Sequence, residues 1–219
     1  MGVYSELKAA KKTAADDDYF VYYTYRKIST SVSALSIKLG FSANYITFLS
    51  MVADFLVVYL MYIGAWVWAG ILVHLAPILD CSDGEVARYN RAHTENPKET
   101  RYGGYLDEVL GTIGFTLVIF FAGYLMNNLW AGFFAMFGLF MVLVTSLTAL
   151  NLFKNKKEIA QNFEKGIFGN LKGRIGFGFG IQRLIISLAV IFQSVWVLWA
   201  FAVLANAFWI LKFWLYRNQ

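Results

Sequence analysis

Residues 71–88 read Ile-Leu-Val-His-Leu-Ala-Pro-Ile-Leu-Asp-Cys-Ser-Asp-Gly-Glu-Val-Ala-Arg, an apolar run that leads directly into two aspartates. Asp80 and Asp83 occupy positions where a membrane helix would normally carry leucine. Ionisable groups at membrane depth are costly, so they usually have a partner or a function. A third carboxylate, Asp107, follows Gly103 and Gly104. We therefore predict that a divalent cation is the shared partner of the three acids.

The composition is that of a membrane protein rather than a soluble domain. Of the 219 residues, 58% are hydrophobic, 18% are aromatic and only 15% are charged, and the mean hydropathy is +0.53. A soluble domain needs far more polar surface than this. The length suits about six helices of roughly 20 residues each. We therefore predict an all-α integral membrane protein with six transmembrane helices and an N-terminal amphipathic interfacial helix.

The hydropathy pattern divides the chain into two regions. Residues 1–40 are predicted to form a cytosolic arm and an amphipathic juxtamembrane helix, over 19–39, that lies in the headgroup region. An ordinary helix that packs on the bundle is the alternative for this segment. Residues 41–219 are predicted to form the membrane domain. Its six predicted spans are 44–64, 65–88, 102–126, 129–153, 176–193 and 195–216.

The basic residues indicate the orientation of these spans. Lys and Arg occur in the N-terminal arm, in the connections after the second and fourth spans and at the C-terminus. The three opposite turns, near Gly64, Asn127 and Ser194, carry none. By the positive-inside rule, both termini, both long loops and the acidic residues are predicted to be on the cytosolic side of a multi-pass protein. The net charge of +5 is thereby explained by topology, so we predict no nucleic-acid partner.

Helical periodicity places the acids beside small residues. Residues three, four and seven apart share a helix face. The two predicted stripes are Asp80, Asp83, Gly84 and Ala87 on the second span, and Gly103, Asp107 and Gly111 on the third. The hard carboxylate oxygens suit Mg²⁺ or Mn²⁺, which usually also bridge to substrate phosphates. Arg88 can bind the same phosphates through two hydrogen bonds. The alternative is that the acids pair only with Arg88, Arg91 and Arg101.

At these residues the chain resembles the CDP-alcohol phosphotransferase (CDP-alcohol phosphatidyltransferase) family, whose signature is D-x2-D-G-x2-A-R followed by G-x3-D-x3-D. The matching positions are Asp80, Asp83, Gly84, Ala87, Arg88, Gly103 and Asp107. The stretch from Gly40 to Thr47 also resembles the family's entry to its first helix, with Ala43 in place of the usual proline.

The resemblance implies a transferase of phospholipid biosynthesis. Members of the family displace CMP from a CDP-linked donor, commonly a lipid, with an alcohol or alcohol-phosphate acceptor. Asp80, Asp83 and Asp107 would hold two Mg²⁺ or Mn²⁺ ions, and Asp83 and Asp107 would act in catalysis. The residues implied to contact the CDP portion are Gly84, Ala87, Arg88, Asn44 and Thr47. Membrane lipids are further implied partners, and a homodimer is permitted because relatives often form one.

The chain departs from the family at the last acid of the signature, where it carries Gly111. In the family this acid is thought to help hold the second metal and to deprotonate the acceptor. Three explanations stay open: an enzyme with a substitute base, a chain with an inactivating substitution, and a relative that binds CDP and metal without turnover. Glu108 is adjacent to Asp107 but points about 100° away from it on an ideal helix, which makes it a poor substitute. Asp54 is a hypothetical substitute, and a purely structural role for Asp54 is the alternative.

The basic connection after the fourth span suggests an acceptor site. Glycine-rich backbone beside Lys and Arg can hold phosphate, so Arg174 and Arg183 are predicted to contact an anionic acceptor. The alternative for the nearby lysines is topology and attraction to anionic lipids. Acids in a helical bundle can also mark an ion path, which would make the protein a transporter or a channel. That alternative predicts acids spread along a pore, whereas here they are clustered near one face.

Overall fold

The computed structural model describes residues 2–9, 19–93, 101–152 and 177–217, and every regular element in these ranges is a helix. The helices are α1 (Val3–Ala9), α2 (Tyr19–Tyr23), α3 (Tyr25–Lys38), α4 (Ala43–Tyr62), α5 (Trp66–Leu72), α6 (Leu75–His93), α7 (Arg101–Leu125), α8 (Leu129–Leu152), α9 (Phe179–Ile191) and α10 (Val195–Arg217). The predicted all-α class is confirmed for this part of the chain.

Five of the six predicted spans correspond to single helices, namely α4, α7, α8, α9 and α10. The prediction of one continuous helix over 65–88 is wrong, because α5 ends at Leu72 and α6 begins at Leu75. Pro77 explains the break. It has no N–H to donate to the carbonyl of Val73, and its ring would clash with that carbonyl in a continuous helix.

The segment predicted as one amphipathic helix over 19–39 is also divided, into α2 and α3, at Thr24. The Thr24 hydroxyl donates to the carbonyl oxygen of Phe20 at 2.5 Å, a local bond of the kind that bends or interrupts helices. Beyond this point α3 packs along α6. The side of α3 that faces the protein is polar, whereas Ile28, Leu35 and Leu39 are exposed on the other side.

Three tight turns reverse the chain near the predicted positions. Gly64, Asn127 and Gln193 adopt positive φ angles of 80°, 56° and 48°. The residue after each donates its N–H to a carbonyl five residues earlier, at 2.8–2.9 Å. This is the Schellman arrangement, which closes a helix through a left-handed residue. The turns therefore end α4, α7 and α9 abruptly.

The main apolar core lies among α4, α5 and α7 to α10. α8 packs along α7 and α10, and α4 packs along α6 and α7. A Cβ atom on Gly123 would lie 2.5 Å from the backbone of Gly132, so these glycines allow α7 and α8 to approach closely. Such small-residue contacts are typical of helices packed in membranes.

The outer surface is rich in large apolar side chains. Two helical stretches, Ala43–Tyr62 and Val195–Trp214, are long and apolar enough to cross a membrane. Shorter apolar helices cover Val109–Leu125, Leu129–Thr145 and Phe179–Ile191. The exposed aromatic residues near the tight turns include Tyr62, Trp68, Trp130 and Trp196. Trp and Tyr are enriched at such positions at membrane–water interfaces.

Candidate metal centre

Three carboxylates from two helices converge as predicted. Asp80 and Asp83 on α6 and Asp107 on α7 each present an oxygen, and these atoms all lie within 4.8 Å of one another. Asp83 is buried, and Asp80 and Asp107 are half-buried. Three negative charges held this close repel one another, and a divalent cation would relieve the repulsion. The oxygen donors fit Mg²⁺ or Mn²⁺.

α4 supports the cluster through Thr47. Its hydroxyl donates to Oδ2 of Asp83 at 2.7 Å, and the Thr47 side chain is buried. The bond restricts the rotation of the Asp83 carboxylate. Thr47 was predicted as a CDP contact, and the structure places it directly behind a predicted metal ligand. Asn44, three residues earlier on α4, is exposed.

The small residues of the motif lie on α6 next to the acids. The Arg88 side chain passes over Gly84, with Nη1 3.4 Å from the position that a Cβ on Gly84 would take. Ala87 is half-buried, like Gly84 and Arg88. The small side chains of Gly84 and Ala87 therefore leave space beside this part of α6. The Arg88 guanidinium lies on the same face of the helix.

Gly111 borders open space. No atom lies within 4 Å of the position that its Cβ would take among the residues that the structure describes. The Cβ of an aspartate at this position would therefore meet no described side chain. The side chains of residues 101–106 and of Glu108 lie outside the described part of the chain.

Asp54 and Arg183 form a buried ion pair that the sequence analysis did not predict. The Nη1–Oδ1 and Nη2–Oδ2 distances are 2.5 Å and 3.1 Å, and both side chains are 1% exposed. A Cβ on Gly114 would lie 2.7 Å from Asp54 Oδ2, so the Asp54 carboxylate sits beside Gly114. Gly114 is three residues further along α7 than Gly111. Two opposite charges within apolar spans were the available sequence signal for this pair.

The predicted acceptor residues have different positions in the structure. Arg174 lies outside the described residues. Arg183 lies in α9, where its guanidinium stacks on the ring of Phe115 at 3.9 Å as well as binding Asp54. A second residue that the sequence analysis missed is Glu85, an acid inside the motif that faces α3. Its position is unspecified in the family signature, so the motif gave no signal for it.

The chain also matches a known protein family. The family model described as CDP-alcohol phosphatidyltransferase matches residues 41–214, which include all three acids. No curated protein sequence matches the chain.

Proposed function

Because the chain belongs to the CDP-alcohol phosphatidyltransferase family, we propose that it is a membrane transferase that moves a substituted phosphate group from a CDP-linked lipid or alcohol to an alcohol acceptor and releases CMP. The family acts in lipid synthesis, and its members typically use a divalent metal. The observation that carries the proposal is the convergence of Asp80, Asp83 and Asp107 at the position of the family's acidic motif.

Each residue of the cluster has a proposed role. Asp80, Asp83 and Asp107 would hold Mg²⁺ or Mn²⁺, and Asp83 and Asp107 are proposed to act in catalysis. Two such ions, when bound, would neutralise negative charge on the attacked phosphate and on the leaving CMP. Thr47 fixes the orientation of the Asp83 carboxylate. Arg88 binds a phosphate of the donor through its planar guanidinium.

The small side chains provide the space for the donor. Gly84 and Ala87 leave room for the CDP portion beside α6, and Asn44 is available at the exposed start of α4. Proposed acceptors are small alcohols or alcohol phosphates such as serine, glycerol phosphate and inositol phosphate. For an anionic acceptor we propose contacts to Arg174 and Arg183. In the described residues Asp54 binds both Nη atoms of Arg183, and only its Nε atom is without a hydrogen-bond partner.

A turnover assay tests the activity directly. The purified protein with Mn²⁺ and a CDP-linked lipid is expected to release CMP only when a suitable alcohol is present. Asp80→Asn is expected to abolish release. Within the same assay, Arg174→Ala should raise the KM for an anionic acceptor and leave the KM for the donor unchanged. The proposal would be contradicted if CMP were released at the same rate with and without an alcohol acceptor and also after the Asp80→Asn substitution.

Gly111 supports a second candidate function, a relative that binds CDP and metal with little or no turnover. Open space at Gly111 makes Gly111→Asp a sharp test, because the added Cβ atom contacts no described side chain. A general base typically contributes about 10²–10⁴-fold to a rate. We expect Gly111→Asp to raise CMP release by at least about 100-fold if the rest of the site is complete. An unchanged, substantial rate would instead indicate that the native chain already has a base.

We further propose a multi-pass arrangement with six spans, α3 at the membrane interface, and both termini and the site on the cytosolic side. The exposed apolar residues of α3 and the aromatic residues near the tight turns support it. A homodimer stays a prediction from the family resemblance.

A further inference from the structure

The side of α6 that faces away from α7 is joined to α3 by polar groups. We call this contact the polar seam and define it as Arg26, Ser29, Ser33, Cys81, Ser82 and Glu85. Glu85 is at its centre and is 3% exposed. Its Oε1 accepts hydrogen bonds from Ser29 Oγ at 2.9 Å and Arg26 Nη1 at 3.3 Å. Its Oε2 accepts from Ser33 Oγ at 2.8 Å.

The seam also holds the backbone of α6. Arg26 Nη1 donates to the carbonyl oxygen of Cys81 at 3.3 Å. Ser33 Oγ lies 3.3 Å from the carbonyl oxygen of Ser82, and Ser82 Oγ lies 3.3 Å from that of Ser29. These contacts occupy the turn of α6 that also carries Asp80 and Asp83. α3 therefore forms hydrogen bonds to the turn of α6 that carries the proposed metal ligands.

The chemistry of the seam suits positioning better than stabilisation. A buried ion pair adds little net stability compared with apolar packing, and its best-attested use is to fix the register of two helices. Glu85 follows Asp83 by two residues, which on an ideal helix is a rotation of about 200°. Any rotation of α6 that moved Asp83 off the centre would thus also pull Glu85 away from its three donors.

We propose that Glu85 is a positioning residue for the metal centre: its bonds to α3 set the direction from which Asp80 and Asp83 approach the cation. α3 is accordingly part of the site, although it supplies no ligand. This inference rests on the metal centre of the proposed function and is independent of whether the protein turns over a substrate.

The test measures Mn²⁺ binding to the purified full chain, from the electron paramagnetic resonance of free Mn²⁺. Glu85→Ala removes the acceptor of all three bonds. Loss of a hydrogen-bond partner of a metal ligand typically lowers affinity about 10–100-fold. Glu85 acts through the backbone of α6 rather than on a ligand directly, so we expect the lower end of that range, a rise in the Kd for Mn²⁺ of about tenfold. Glu85→Gln keeps one acceptor oxygen and should recover part of this loss.

Two further variants separate positioning from stability. Arg26→Met combined with Glu85→Leu replaces the ion pair by apolar side chains, which should keep the Tm near that of the native chain. Its Mn²⁺ affinity should still fall about tenfold. The matched control is Ser187→Ala, because Ser187 Oγ also makes a buried bond to another helix, at 2.8 Å to the carbonyl oxygen of Gly70. It should bind Mn²⁺ like the native chain.

The outcomes distinguish the positioning role of Glu85 from the existence of the metal centre. Native-like Mn²⁺ affinity in both Glu85→Ala and the double variant would overturn the positioning role and leave the metal centre intact. An equal loss in Ser187→Ala would also overturn it, since any buried polar bond would then suffice. If the native chain itself bound no Mn²⁺, the proposed metal centre would fail, and this inference would fail with it.

Discussion

Thr47 lies on a different helix from the three acids, yet its hydroxyl is 2.7 Å from Oδ2 of Asp83. The bond uses one lone pair of the carboxylate and leaves the others for a cation. A hydroxyl that orients a ligand carboxylate affects metal affinity without touching the metal. At the scale of single residues, the site therefore depends on α4 as well as on the acidic motif.

Replacing Thr47 tests this dependence. Thr47→Val keeps the shape of the side chain and removes the hydroxyl, so we expect the Kd for Mn²⁺ to rise about tenfold. Thr47→Ser keeps the hydroxyl and should bind nearly as tightly as the native chain. Mn²⁺ titration of the purified variants measures both.

A matched control is available on α8. The Thr145 hydroxyl bonds the carbonyl oxygen of Met141, in its own helix, at 2.8 Å. Thr145→Val should therefore leave Mn²⁺ affinity unchanged. Equal affinities for Thr47→Val and Thr47→Ser would show that the hydroxyl has no part in the centre.

At the scale of helices, the ion pair of Asp54 and Arg183 joins α4 to α9. It is buried against α7, where Gly114 leaves space for the carboxylate and Phe115 covers the guanidinium. A side chain at residue 114 would displace Asp54. Three helices thus meet at one charge pair, about one turn beyond Gly111 towards the C-terminal end of α7.

Removing one partner of this pair should destabilise the protein. Arg183→Met leaves a buried carboxylate without its counter-charge, which typically costs about 3–5 kcal/mol. Asp54→Asn together with Arg183→Gln leaves no unpaired charge and should recover most of this loss. The unfolding of the detergent-solubilised protein can be followed by the fluorescence of its seven tryptophans.

The same pair tests the hypothesis that Asp54 substitutes for an acid at Gly111. Its carboxylate is engaged by Arg183 beside Gly114, so we expect Asp54→Asn to lower stability and to leave Mn²⁺ affinity unchanged. Reduced Mn²⁺ affinity or turnover at unchanged stability would instead assign Asp54 to the metal centre.

At the scale of the whole molecule, its two ends differ in chemistry. The tight turns near Gly64, Asn127 and Ser194 have exposed aromatic residues close by and carry no Lys or Arg. The acidic cluster lies towards the other end, because Asp107 is close to the start of α7, and the opposite end of α7 leads into the turn at Asn127. The proposed orientation places this second end in the cytosol.

Cysteine labelling tests the orientation. In a Cys81→Ser background, which removes the one native cysteine, we expect Ser194→Cys to react with a membrane-impermeant maleimide added to intact cells. Asn96→Cys, between α6 and α7, should react only after the cells are opened. The reverse pattern would invert the topology, and reaction of both in intact cells would contradict the multi-pass arrangement.

Much of the site was predictable because it depends on local spacing. Asp80 and Asp83 share a helix face wherever that helix packs, and the acidic signature adds Asp107. The break between α5 and α6 was also encoded, by Pro77, but a hydropathy window averages over a single proline. The role of Thr47 was not predictable, since the distance from α4 to α6 is not a property of either segment.

The sequence by itself determined the helices, the apolar character of the spans and the acidic motif, because hydropathy, periodicity and residue chemistry act over a few neighbouring residues. Only the tertiary structure decided which helix stands behind each acid, that Glu85 faces α3, and that Asp54 binds Arg183. These pairings join residues 129 or 56 positions apart, at the Asp54–Arg183 and Ser29–Glu85 bonds. Such contacts depend on how complete helices rotate and pack, which many side chains settle together.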